Sequence, residues 1–130
     1  VIRGAVDSSH EAVVELTVAG ADPRSVRLPF VVDTGFSGGI TLPSEIVADL
    51  ELRPRGSGRA WLGDGSLAQF AIFEAFVDWE GTPRRVRVEV AETMPLLGME
   101  LLRGHQLQID VLPGGMVSIR NISGPPPPSG

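Results

Sequence analysis

The 130-residue sequence contains no cysteine. Disulfides, thiol catalysis and cysteine-based zinc sites are therefore excluded, though the absence does not fix a compartment. Lysine is missing too: all eleven basic residues are Arg. That reads as a genomic composition bias, of the kind a GC-rich bacterium imposes, and not as a mechanism. The formal charge is −5, which argues against a general nucleic-acid role. No apolar run approaches the ~20 residues of a membrane span. No signal peptide is visible, and the chain opens on Val1 without a Met, as a trimmed chain or part of a longer protein would. A cytoplasmic location is the default expectation. His10 and His105 stand apart without metal-ligand spacing. Asp7, Glu11 and Asp64 have no calcium-loop spacing, and "GFSGG" lacks the Lys-Ser/Thr of a phosphate-binding loop. No metal or cofactor is expected.

What is present suits one domain with a core of its own: hydrophobic content is 42%, and the length needs no staples. Val14, Leu16 and Val18 alternate with Glu15 and Thr17, a period of two that predicts a half-buried strand. Val26 to Val32 is a second strand, with Pro29 arguing for an edge or a bend. Ile40 to Leu42 is a short third. Pro43 fits the first turn of a helix, and "PSEIVADL" puts Ile46, Val47 and Leu50 on one helical face. "RPRGSGR" reads as a loop. "RAWLGDGSLAQF" is a hairpin signal around Gly63, Asp64 and Gly65. Leu67 to Trp79 is apolar in both parities, as in a long strand that carries a bulge or is covered on both faces. After the turn at Glu80 to Pro83, the residues Val86, Val88 and Val90 alternate again. Leu96 and Leu97 read as strand, Gly98 as a break, and Met99 to Arg103 as a helical turn or two ended by Gly104. Leu107, Ile109 and Val111 alternate, and Pro113 to Gly115 turn the chain into a strand from Met116 to Ile119. Residues 1–122 form the expected domain. The Pro-rich stretch 123–130 is an expected disordered tail. Arg53, Arg55 and Arg59, like Arg84, Arg85 and Arg87, read as solvated faces rather than an anion site. The expected class is all-β: a small closed or folded-over sheet with one or two short helices.

Two candidate nucleophiles share "FVVDTGFSGGITLP". Gly35 to Gly39 match G-x-S-x-G, the nucleophile-elbow pattern, with Ser37 as nucleophile and His105 and Asp110 as conceivable partners. That elbow requires a strand before the serine and a helix directly after it. Here a strand follows, and the chain has no room for the crossover helices. Asp33 has a plain reading as a turn residue bonding its own backbone two residues on. Against it stands the order of the surrounding parts. An apolar strand runs into Asp-Thr-Gly, then come a second strand, a helix, a Gly-tipped hairpin, and later two apolar residues, a Gly and a helix.

That order, carried by "VVDTGFS", "AWLGDGSLA" and "PLLGMELL", resembles the retropepsin-like (retroviral-type) aspartic proteases over roughly Val14 to Ile119. It is most similar to the short bacterial members, where Phe36 is expected in place of a small residue. The resemblance implies a small barrel-like aspartic protease fold with a flap hairpin. It implies Asp33, Thr34 and Gly35 as the catalytic loop, with Thr34 fixing the loop through a partner's backbone and Gly35 admitting substrate backbone. Phe36 either lines a pocket or packs into the core. The flap would present Trp61, Leu62, Gly63, Asp64 and Gly65 to a bound peptide; its plain alternative is an ordinary exposed hairpin. Leu96, Leu97 and Gly98 would pack beneath the catalytic loop. "FVVDTGF" and "MPLLGME" also echo each other, although the second carries Leu97 and Gly98 and no acid at the place of Asp33.

Peptide hydrolysis by water needs one group to activate the water and one to donate a proton, which two carboxylates sharing a proton supply. The chain holds a single Asp-Thr-Gly, so the pair has to come from two copies related by a two-fold axis. The expected activity is an aspartic endopeptidase acting as a homodimer on peptide or protein, without nucleic-acid or membrane partners. The alternatives are a catalytically idle dimerisation or peptide-binding module of the same fold, and a β-barrel that carries Asp-Thr-Gly by accident.

Overall fold

The alternation of Val14, Leu16 and Val18 buries one side of a strand, and the rest of the sheet grows outward from it. The computed structural model describes residues 1–122; the Pro-rich stretch lies outside them. The elements are β1 (Ile2–Val6), β2 (Ala12–Ala19), β3 (Ser25–Val32), β4 (Ile40–Leu42), α1 (Ser44–Asp49), β5 (Arg53–Trp61), β6 (Leu67–Trp79), β7 (Thr82–Val90), β8 (Leu96–Leu97), α2 (Met99–Leu102), β9 (His105–Ile109) and β10 (Met116–Asn121). They form one sheet in the order β5-β6-β7-β4-β8-β3-β2-β1-β10-β9. A further pairing of β2 with β6, Val18 opposite Val77, closes part of that sheet into a ring of strands. The expected all-β class holds. Among the described residues, no helix is long and apolar enough to cross a membrane.

Closing the sheet turns one face of most strands inward. Val14, Leu16, Val18, Phe30, Ile40, Leu42, Val77, Val88, Leu97, Leu101, Val117 and Ile119 fill the resulting core. A fully buried Val, Leu, Ile or Phe side chain contributes ~1.5–3 kcal/mol. The turn between β6 and β7 is two residues long, Trp79 pairing with Thr82, and its central Glu80 and Gly81 have φ of 56° and 84°. Positive φ at both positions gives such a turn the twist that matches its strands.

Several local expectations change. "RPRGSGR" is part of strand β5 and not a loop. Its glycines serve the sheet: Gly56, with φ +123°, sits at the irregularity where β5 shifts register against β6. At Gly58 a Cβ would fall 2.3 Å from the Phe70 ring. The bulge anticipated in β6 therefore lies in its partner. β1 has no counterpart among the expected strands. Pro29 is on an interior strand, but β3 has only β2 beside it there, since β8 pairs with Val31 and Val32 alone. Pro43 is the N-cap of α1 and not its first residue. Val111 lies beyond the end of β9 and is 67% exposed.

Candidate active site

β3 carries the chain out of the core and into Asp33. There β8 lies beside it in parallel, Val31 opposite Leu96 and Val32 opposite Leu97. Leu97 also pairs with Ile40 of β4, so β8 is wedged between the strand entering the Asp-Thr-Gly loop and the strand leaving it. Backbone bonds clamp the loop: Asp33 N donates to Leu97 O at 2.9 Å, Gly98 N to Gly39 O at 2.7 Å, Met99 N to Phe36 O at 2.8 Å and Glu100 N to Gly38 O at 3.1 Å. Buried Thr41 adds a side-chain lock, its Oγ1 accepting from Leu96 N at 2.9 Å. Leu96, Leu97 and Gly98 thus lie against the loop, where the resemblance places them. Gly98 is fixed by proximity, because a Cβ there would come within 2.2 Å of Gly38 O.

The Asp33 side chain is half-buried. Its Oδ1 accepts from Gly35 N at 2.9 Å, the local bond a turn aspartate makes. Its other carboxylate oxygen accepts no hydrogen bond among the described residues. Thr34 is exposed, and its hydroxyl likewise has no partner among them. Phe36 lines a cavity and is not part of the core. Its ring packs against the backbone of Gly38 and Gly98, and the cavity, of about 420 Å³, is also lined by Gly35, Ser37, Gly38, Phe70, Ile72, Arg87, Glu89 and Glu100.

The β5–β6 hairpin projects Trp61 and Leu62, which are 76% and 50% exposed. Its tip is organised locally. Leu62 N donates to Ser66 O at 2.8 Å and Gly65 N to Leu62 O at 3.0 Å, with Gly65 at φ +86°. Asp64 Oδ1 accepts from Ser66 N at 2.9 Å and from Ser66 Oγ at 2.5 Å. The hydroxyl bond, followed by the backbone bond, holds the Asp64 carboxyl below the usual range. Trp61, Leu62, Gly63, Asp64 and Gly65 do not line the cavity; further down the same hairpin, Phe70 and Ile72 do.

Phe70, Ile72, Glu89 and Glu100 are site residues that sequence reasoning missed. The available signal was the double-parity run of β6. Its odd members Ala75, Val77 and Trp79 face the core, and its even members Phe70 and Ile72 face the cavity. The serine reading loses its base. Trp79 Nε1 donates to His105 Nε2 at 3.0 Å, which leaves Nδ1–H to donate to Arg103 O at 3.0 Å. Both ring nitrogens are engaged, and Ser37 is followed by β4 rather than a helix.

No protein-family model matches the chain, and no curated protein matches it. Among solved structures it is similar to a retropepsin-like aspartic protease from Rickettsia conorii, with a TM-score of 0.56, 22% identity, and coverage of 89% of this chain and 87% of that one. The fold is retropepsin-like.

Proposed function

We propose that this chain is an aspartic endopeptidase, active as a homodimer in which the Asp33 carboxylates of two copies form the catalytic pair. The observation that carries the reading is the setting of Asp33. It ends a core strand, its backbone is tied to β8, one oxygen is turned to Gly35 N, and the other is unclaimed. A lone carboxylate so placed can take a proton from water, but it leaves the scissile carbonyl without a proton donor while the water attacks. A second copy across a two-fold axis supplies that donor, and two such groups sharing a proton divide the acid and base roles. Thr34, with its unpaired hydroxyl beside Asp33, is suited to bond the partner's loop. Gly35 leaves substrate backbone close access. The β5–β6 hairpin acts as a flap, with Trp61 and Leu62 covering an extended peptide and excluding water.

Incubation with a mixed peptide library tests this. The wild-type chain should cleave, and Asp33→Asn should lose at least the ~10²–10⁴-fold that a positioned acid or base supplies. Ser37→Ala should keep most of the activity. A folded dimer that binds peptides and never cleaves them would be a binding module; loss of activity on the serine change alone would restore the serine mechanism.

A further inference from the structure

The cavity beside Asp33 differs in its walls from a plain apolar pocket. Its volume of about 420 Å³ falls within the ~300–1,000 Å³ of small-molecule pockets. One side is loop backbone from Gly35 to Gly38, and Gly35 N is the group that holds Asp33 Oδ1. Phe36, Phe70 and Ile72 supply the apolar surface. Across the sheet Glu89 pairs with Ile72, so the β7 carboxylate lies on the same side as the β6 wall. It rests on the loop itself: a Cβ at Gly38 would be 2.6 Å from Glu89 Oε2. Glu89 is half-buried, and among the described residues it accepts no hydrogen bond and has no ion pair.

The other charged groups around it do not neutralise it. Glu100, on α2, carries the same sign. Arg87 is exposed and makes no ion pair with either carboxylate. It also borders the neighbouring depression, whose lining includes Arg55, Glu74 and Arg85. There Glu74 is already bonded by Arg55 and paired with Arg85. Burial, and after it the charge of Glu100, push the Glu89 carboxyl above the usual range, which is what an uncompensated acid in such a place undergoes.

We propose that this cavity receives a substrate side chain and that Glu89, assisted by Glu100, makes it select a basic one. The stem of an arginine or lysine would lie along Phe36, Phe70 and Ile72 while its cationic head meets the carboxylates, as long basic side chains do where apolar surface meets charge. The inference rests on the peptide-processing reading above and names its substrate class.

The test separates the two. Asp33→Asn protein is titrated with position-scanning peptide pools in which one position is arginine or its neutral isostere citrulline. At one position arginine should bind about tenfold more tightly, the scale of a hydrogen bond to a charged group. Adding Glu89→Gln, or Glu100→Gln should the first variant fold poorly, should reduce that preference. Equal binding of the two pools, no binding of either, or a preference untouched by both substitutions would overturn the proposal. Cleavage by the wild-type chain is measured in parallel. Arginine-dependent binding without cleavage would remove the peptidase reading and leave the pocket. Cleavage indifferent to arginine would do the reverse.

Discussion

At the scale of single residues, glycines separate structure from chemistry in the Asp33 loop. A Cβ on Gly98 would meet backbone, Gly38 O at 2.2 Å, whereas one on Gly35 would meet only Asp33 Oδ1 at 3.2 Å. Backbone clamped by its own hydrogen bonds cannot yield cheaply. Gly98→Ala should therefore destabilise the fold by ~1–3 kcal/mol, as overpacking does, read as a lower urea midpoint. Gly35→Ala should melt near the wild type yet lose peptide turnover, because it crowds the carboxylate. Asp33 and the Leu96–Gly98 piece were legible in the sequence, since each is an apolar strand broken by a residue no core would choose. Glu89 was not: a charged residue on an alternating strand reads as solvated surface, and only the parallel pairing of β7 with β4, the strand leaving the loop, brings it there.

At the scale of elements, the flap reading concerns the hairpin tip. Gly65 needs its positive φ, while Gly63 has neither a positive φ nor a neighbour within reach of a Cβ. Gly65→Ala should distort the tip and lower turnover with little change in melting temperature, because loop tips carry little core; Gly63→Ala alone should do neither. Equal turnover in both would mean the hairpin is not a lid. The β6–β7 pair has its own pH signature. The Glu89 carboxyl is raised, chiefly by burial, so the folded chain holds its proton where an unfolded chain, near ~4.3, has lost it. Stability should fall as pH rises from that value through the folded one, then level off. Glu89→Gln should remove this part of the fall, measured by denaturation across mildly acidic pH. The sequence hid β1 and β5 for a shared reason. Gly4, Gly56 and Gly58 interrupt the alternation, yet two of them are sites of close approach, Gly4 to Val13 O and Gly58 to Phe70, and Gly56 marks the register shift.

At the scale of the whole molecule, the internal echo between "FVVDTGF" and "MPLLGME" acquires a physical meaning. The two segments lie side by side in parallel register, with Val32 opposite Leu97, so Asp33 and Gly98 follow equivalent positions. The second segment supports the loop and has Gly98, not an acid, at the place of Asp33, so the second carboxylate of the proposed pair has to come from a second chain. Mixing tests that requirement most directly. Wild-type and Asp33→Asn chains are combined at fixed total concentration, above the dimer dissociation constant and with time for exchange, and peptide cleavage is followed against the wild-type fraction. If both carboxylates come from different chains, activity should follow the square of that fraction, about one quarter at an equal mixture. Activity that falls in simple proportion, to about one half at that point, would mean that each chain works alone and would contradict the shared pair.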